Sequence, residues 1–137
     1  MTGVQTCALP ICRAGLRLEI VPAETLDESL AAIELVARYA GAEVAGRELA
    51  AAVRARLDAV AKRVAGAPRV ATFFCIQTDP IIAAGRGTLP SQLLELAGGS
   101  NVVEAGRYPR LDVEAVAGAK PELIDRKSTR LNSSHRL

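Results

Sequence analysis

Apolar residues recur along the chain with two different periods, and these periods predict where helices and strands lie. Residues 16–21 alternate apolar and polar side chains, which is typical of a strand with one buried face. Residues 30–40 and 42–65 place apolar residues three and four positions apart, which predicts two helices. Residues 70–76 are almost continuously apolar, which predicts a strand that is covered on both faces.

Local signals mark the ends of these elements. Thr25 and Glu28 have the spacing of a helix capping box, and Gly41 supplies the stop of the same helix. Pro90 is predicted to occupy the first position of a further helix, and Asp112 to cap a short one. The resulting order, strand, helix, long helix, strand, two helices and strand, predicts the α/β class with a parallel sheet.

The long helix at residues 42–65 has two interpretations. Its apolar stripe predicts an amphipathic helix that packs on a core, with the stripe formed by Leu49, Val53, Leu57, Val60 and Val64. Its length, and the new strand that follows it, also suit a rigid connector between two lobes.

The two ends of the chain correspond to complementary DNA. Codons for residues 125–135 can be chosen so that the opposite strand encodes residues 1–11, with GTG as the start codon of Met1. Unrelated protein segments would not be antisense copies over their whole length, and the implied DNA resembles a sequencing-library adapter. We therefore predict that residues 1–12 and 125–137 are adapter artefacts, and we exclude them from the interpretation of the fold.

Without these ends, the bulk properties of the chain change. The whole chain has a formal net charge of +2, but residues 125–137 hold four basic residues and one acidic residue, so the remainder carries −1. That charge gives no support for a nucleic-acid partner or an anionic membrane. Cys75 alone remains of three cysteines, and the only histidine, His135, is lost, so we predict no disulfide and no metal site.

Residues 69–103 are the most informative part of the chain. They predict a buried strand, a loop at 79–87 with Pro80 and several small residues, a helix that starts at Pro90, and a Gly-Gly stop. The loop ends in Gly-Arg-Gly-Thr, which lacks the Lys-Ser/Thr of a P-loop and the third glycine of a dinucleotide fingerprint. A tight turn at the end of a strand, where α/β folds bind ligands, is the favoured interpretation.

Four polar side chains outside that turn are candidate functional residues. Asp79 and Asp112 would be a carboxylate pair, but no spacing brings them together and Asp112 already serves as a helix cap. Tyr108 either stacks on a planar ligand or is an ordinary partly buried tyrosine. Glu114 lies in the first turn of a helix, where the helix dipole favours it. We predict no catalytic residue.

In this order, the motifs TDPIIAAGRGTLPSQLLELAGGSNVV and YPRLDVEAVAGAKPELI resemble the second lobe of the cobalamin- and ferric-siderophore-binding proteins of ABC importers. These are periplasmic receptors with a helical backbone. The resemblance implies an α/β fragment of a two-lobed receptor whose lobes are joined by one long helix. The end of the first lobe would be residues 13–41, the connecting helix 42–67, and an incomplete second lobe with a parallel sheet 68–124.

The resemblance also implies a ligand between the lobes. Tyr108 matches a cleft aromatic of the family's vitamin B12 receptors, whereas Ile82 departs from the pattern, because some members have a second aromatic there. Glu114 matches a second-lobe glutamate that pairs with arginines of the membrane permease. The ligand-binding residues implied are Asp79, Pro80, Ile82, Gly85, Arg86 and Tyr108.

The function implied is the substrate-binding component of an ABC transporter, which captures a corrinoid or ferric-siderophore ligand and delivers it to a permease. We expect a full-length protein that is monomeric, lies in the periplasm or is lipid-anchored outside the cytoplasmic membrane, and needs no cofactor of its own. Two alternatives remain at this point. One is an α/β enzyme domain that uses residues 79–88 to bind a nucleotide or cofactor, and the other is a sensor with the same two-lobed fold.

Overall fold

A computed structural model describes residues 19–104 and 106–126 of the chain. Its helices are α1 (Leu26–Tyr39), α2 (Glu43–Val64), α3 (Leu89–Leu96) and α4 (Val113–Gly118). Its strands are β1 (Val70–Thr78), β2 (Ile81–Ala83), β3 (Gly99–Asn101), β4 (Arg110–Leu111) and β5 (Leu123–Arg126). Helices and strands therefore share one fold, and the predicted α/β class is confirmed.

Strand β1 is the centre of a mixed five-stranded sheet. Strands β3 and β5 pair with it in parallel, as the nearly continuous apolar sequence of β1 predicts. Strand β2 pairs with β1 in antiparallel fashion, and β4 extends that side of the sheet next to β2. The prediction of a parallel sheet is therefore incomplete: the turn at Asp79–Pro80, which contains a cis peptide bond, leads straight back into β2.

Polar side chains start three of the helices, and two of these caps, at Thr25 and Asp112, are as predicted. Thr25 Oγ1 accepts from the Glu28 amide at 3.2 Å, and a Glu28 carboxylate oxygen accepts from the Thr25 amide at 3.0 Å. Thr88 caps α3, and Asp112 Oδ1 accepts from the Ala115 amide at 2.7 Å. Each cap satisfies amides that the first turn of a helix cannot pair internally. Helix α3 begins at Leu89, one residue before the predicted Pro90.

Two apolar clusters form the core. One lies between β1, β2 and the segment after β3, and contains Phe73, Cys75, Ala83 and Val103. The other joins α1, α2 and α3 and contains Leu26, Leu30 and Ala50, with Val53, Leu57 and Leu96 against them. Helix α1 thus packs on α3 as well as on α2, and the Leu26 amide donates to Gln92 Oε1 at 2.7 Å. The start of α1 is therefore attached to the segment that carries the sheet.

The predicted apolar stripe of α2 is only partly correct. Leu49 is 54% exposed, whereas Gly46 and Ala50 are buried. Helix α1 comes so close at this point that a Cβ atom on Gly46 would overlap the Cβ of Ala37. The packed face is therefore set by the smallest residues of α2, which let the two backbones approach, rather than by the largest apolar ones.

The predicted strand at residues 16–21 is absent from its described part, residues 19–21. Residues 16–18 lie outside the described residues, and residues 19–21 are exposed and form no strand. A strand needs a neighbour for its backbone groups, and none of the described strands lies beside this segment. The boundary predicted at residue 125 falls inside β5, whose pairing uses backbone groups that any sequence supplies.

Gly46 and Gly118 lie in different helices, and substitution by alanine is expected to have opposite effects at the two positions. Gly46→Ala should lower the free energy of unfolding by about 1–3 kcal/mol, because the added methyl group overpacks the contact with α1. Gly118→Ala meets no atom within 4 Å and should be neutral or raise it by up to about 1 kcal/mol. Urea denaturation of both variants measures this, and equal effects would contradict the close packing at Gly46.

Candidate functional site

The predicted ligand loop and the segment before α4 lie side by side. Register pairs join Ile82 to Arg110 and Ile81 to Leu111. The Ala83 amide donates to the Pro109 carbonyl at 3.1 Å, which continues the antiparallel pairing beyond β4. Residues 81–85 and 107–111 therefore form one two-stranded ribbon at the side of the sheet.

The ribbon has a core face and an outer face. Ile81, Ala83 and Leu111 belong to the apolar cluster beneath the sheet. Ile82 and its partner Arg110 point the other way. Tyr108 lies two residues before Arg110, in the bend that leads into β4. Tyr108 is 44% exposed. We call the surface formed by Ile82, Tyr108 and Arg110 the outer face.

Gly85 lets the two halves of the ribbon approach closely. Its amide donates to the Arg107 carbonyl at 2.7 Å, and a Cβ atom at this position would overlap the carbonyl oxygen of Gly106. Any side chain here would push residues 106–107 away and displace Tyr108 with them. The close approach that this glycine permits is made by another part of the chain.

Asp79 and Pro80 lie at the opposite end of β2 from Tyr108. They form the turn between β1 and β2, and six positions separate Asp79 from Gly85, about 20 Å of extended chain. The Asp79 carbonyl accepts from Gln77 Nε2 at 2.7 Å within the turn. The structure therefore does not place Asp79 in one cluster with Tyr108; of the predicted residues, Ile82, Gly85 and Tyr108 belong to the ribbon.

The amides at the two ends of the Gly-Arg-Gly-Thr turn, and those at the start of α3, are paired within the chain. The Thr88 amide donates to the Gly85 carbonyl, and the Ser91 amide donates to Thr88 Oγ1. The Leu89 amide, the first of α3, donates to the carbonyl of Glu24 at 2.6 Å. A phosphate cradle needs amides that point into open space, so this turn differs from a nucleotide site. Arg86 projects to solvent, where it pairs with Glu104 at 3.7 Å.

A buried group of polar side chains holds the turn from below. Asn101 Nδ2 donates to the Ala84 carbonyl and contacts Ser91 Oγ, both at 2.9 Å, and Asn101 Oδ1 accepts from the Val103 amide at 3.0 Å. Thr88 Oγ1 donates to the Gly85 carbonyl at 2.8 Å. Thr88 and Ser91 are fully buried. These bonds fix the end of the ribbon relative to α3 and β3.

A carboxylate from the segment before α1 reaches the outer face. One oxygen of Glu24 lies 3.2 Å from Arg107 Nη2 and accepts from the Tyr108 hydroxyl at 3.4 Å. Partial burial, together with the charge and the hydrogen bond of Glu24, raises the pKa of Tyr108, while Arg107 acts in the opposite direction. The phenol therefore stays protonated and donates a hydrogen bond at neutral pH.

Glu24, Arg107 and Arg110 are the residues at this site that the sequence did not predict. Glu24 is 83 positions from Arg107, and no periodicity or motif connects residues at that distance. Arg107 and Arg110 lie on either side of the predicted Tyr108, and no motif in the sequence distinguishes them from ordinary surface residues. Their position beside Tyr108 follows only from the pairing of the ribbon.

Glu114 lies in the first turn of α4, after the cap at Asp112. Its side chain is exposed, and it makes no ion pair with a described residue. Its neighbour Val113 is 67% exposed, so this end of α4 presents an acidic and an apolar side chain together. Such a surface is free to contact another molecule.

Other features of the described chain do not form a competing site. A groove of about 590 Å³ between α2 and α3 shares no residue with the ribbon, and its Arg54 already pairs with Asp27. Within residues 19–104 and 106–126, no three His, Cys, Asp or Glu side chains are grouped to hold a metal ion. None of the described helices has the length and apolar character required to cross a membrane.

Comparison with known sequences gives consistent matches. A family model described as periplasmic binding protein matches residues 17–130. The vitamin B12-binding protein of Vibrio campbellii is 28% identical over 102 residues, which cover 73% of this chain and 37% of that relative. A vitamin B12-binding protein of Vibrio cholerae is 29% identical over 103 residues.

Comparison with solved structures gives the same fold. The periplasmic vitamin B12 binding protein of Vibrio cholerae matches with a TM-score of 0.70 and 26% identity over 86% of this chain and 47% of its own. A periplasmic heme binding protein of Pseudomonas aeruginosa has a TM-score of 0.78 over 88% of this chain and 46% of its own; at 23% identity, it supports the fold alone. The chain spans less than half the length of these relatives.

Asn101 is expected to hold the Gly-Arg-Gly-Thr turn in place and to stabilise the folded chain. Asn101→Ala leaves the Ala84 carbonyl and the Ser91 hydroxyl without their partner, so the free energy of unfolding should fall by about 1–3 kcal/mol. Hydrogen exchange of the Gly85 amide should accelerate more than exchange in α2. Ser100→Ala, on the same strand but exposed, is the matched control. Equal Gly85 exchange in both variants would show that Asn101 does not hold the turn.

Proposed function

Because the chain belongs to the periplasmic binding protein family, we propose that its full-length protein is the substrate-binding component of an ABC transporter. It captures a corrinoid or ferric-siderophore ligand and delivers it to a membrane permease. The proposal rests on the family match together with an exposed aromatic, Tyr108, at a ribbon of two hydrogen-bonded segments. The chemistry is binding and release, without a covalent step.

The outer face has the composition that a large planar ligand requires. Tyr108 offers an aromatic ring, Ile82 offers an aliphatic surface, and Arg110 offers a guanidinium group. The ring and the aliphatic group contact the flat part of a ligand, while the guanidinium group orients its edge. Relatives whose names describe them as vitamin B12-binding proteins support the corrinoid as the first ligand class to test.

Ile82 makes this face less aromatic than the pattern of vitamin B12 receptors. An aliphatic side chain contributes buried apolar area but no stacking, so Tyr108 supplies the only aromatic ring among Ile82, Tyr108 and Arg110. In our proposal, Asp79, Pro80 and Arg86 border the ligand rather than contact its centre, since they lie at the two ends of β2.

Glu114 is our proposal for the contact with the permease. Its exposed carboxylate lies at the start of α4 beside the exposed Val113, close to Arg110 in sequence but in a separate element. A surface glutamate is suited to pair with a cationic group of a partner, and such contacts affect docking more than ligand binding. The same proposal places the full-length protein outside the cytoplasmic membrane, as a monomer.

The alternative of a nucleotide-binding enzyme domain has less support. The first amide of α3 is occupied by the Glu24 carbonyl, and Arg86 pairs with Glu104. A nucleotide phosphate would have to displace the first contact and compete with the second. Calorimetry that detected nucleotide binding by the full-length protein, and neither a corrinoid nor a ferric siderophore, would favour this alternative.

Tyr108→Ala should weaken binding of cyanocobalamin or of a ferric siderophore by the full-length protein. Loss of the ring removes apolar and stacking contact, and the expected decrease in affinity is roughly 5- to 30-fold. Isothermal titration calorimetry measures it, with Tyr39→Ala on α1 as the matched control. If the two tyrosine variants bind equally well, Tyr108 is not part of the ligand site.

Glu114→Ala should leave ligand affinity unchanged and impair transport. Removing an exposed carboxylate of the docking surface affects the complex with the permease but not the outer face. Uptake by cells that carry the full-length protein is measured beside calorimetric binding, with Glu43→Ala as control, since Glu43 also lies in the first turn of a helix. Unchanged uptake in Glu114→Ala would exclude the docking role.

A further inference from the structure

The backbone of Glu24 is held at both of its polar groups. Its amide donates to a carboxylate oxygen of Glu28 at 2.9 Å, as part of the capping structure of α1. Its carbonyl accepts from the Leu89 amide, the first of α3, at 2.6 Å. The Glu24 side chain therefore starts from a point that is fixed relative to both helices.

From this fixed point the carboxylate reaches two consecutive residues of the ribbon. A single oxygen of Glu24 lies within 3.2 Å of Arg107 Nη2 and 3.4 Å of the Tyr108 hydroxyl. The Arg107 carbonyl is itself bonded to Gly85. Residues 107 and 108 are thus held through the backbone on one side and through their side chains on the other.

We propose that Glu24 is a positioning residue for the outer face, which fixes the ring of Tyr108 by accepting from its hydroxyl while it pairs with Arg107. This inference rests on the proposed function, because it takes Tyr108 as a ligand contact. It adds a residue from the segment before α1 to a site otherwise formed by residues 79–111. Glu24 itself need not touch the ligand.

The contribution of Glu24 is to orientation rather than to stability. Its side chain and that of Arg107 are each about half exposed, at 50% and 57%. Ion pairs with this exposure contribute little to the free energy of unfolding. A ring whose hydroxyl is bonded to a fixed carboxylate nevertheless loses rotational freedom before the ligand arrives, and such preorganisation lowers the entropic cost of binding.

The composition of the chain allows a direct test, because it contains two tyrosines and no tryptophan. In a Tyr39→Phe background, Tyr108 is the only tyrosine that fluoresces or titrates. Adding Glu24→Gln should speed the local depolarisation of Tyr108 in time-resolved anisotropy. It should also lower the pKa of Tyr108, since the Glu24 charge raises that pKa, whereas Arg107→Gln should raise it further.

Glu19→Gln in the same background is the matched control. Glu19 accepts from the Tyr39 hydroxyl at 2.9 Å, so it is the corresponding carboxylate of the other tyrosine. Its neutralisation should leave both the anisotropy and the titration of Tyr108 unchanged. If Glu24→Gln behaves like Glu19→Gln in both measurements, Glu24 does not position Tyr108 and the inference is wrong.

Binding by the full-length protein separates this inference from the proposed function. Glu24→Gln should reduce affinity for cyanocobalamin or a ferric siderophore roughly 3- to 10-fold, the size expected for loss of an ordinary intramolecular hydrogen bond. Unchanged affinity, alongside an altered anisotropy, would overturn the role in ligand binding. If the wild-type protein binds neither ligand, the proposed function fails, whereas the anisotropy still decides whether Glu24 orders Tyr108.

Discussion

The side chain of Asn101 joins the parts of the structure on which the site depends. It bonds the Ala84 carbonyl, the Ser91 hydroxyl and the Val103 amide, and so connects the ribbon, α3 and the end of β3. Buried polar groups are costly without partners, so the turn after β2 cannot shift unless several of these bonds break together. Gly85 is thereby held where its amide meets residue 107, and the outer face follows from that contact.

Local chemistry made much of the fold predictable. The caps at Thr25 and Asp112 each bond an amide three residues further on, so the spacing of these residues in the sequence is enough to predict them. The long helix α2 was likewise evident from its period. Its packed face was not, because close packing at Gly46 depends on where α1 crosses, and the size of a residue alone does not tell whether another helix lies over it.

The candidate site is predictable from the sequence only in part. The family resemblance implies Ile82, Gly85 and Tyr108, and the structure brings their two segments together. The sequence predicts a loop where β2 lies, because three residues carry little pattern and their pairing with residues far along the chain is not local information. Glu24 is not predictable for the same reason. The resemblance to a family identified the fold, but relatives named for vitamin B12 and for heme share that fold, so the ligand depends on individual side chains.

The charges around the outer face leave one unpaired arginine. Arg86 pairs with Glu104 and Arg107 with Glu24, so two of the three arginines near the ribbon already have carboxylate partners. Arg110 makes no ion pair with a described residue. These five side chains together carry one excess positive charge, which attracts an anionic ferric chelate and does not oppose a ligand of low net charge. In the proposed site, shape and apolar contact with Tyr108 and Ile82, rather than charge, therefore distinguish the corrinoid from the ferric-siderophore class.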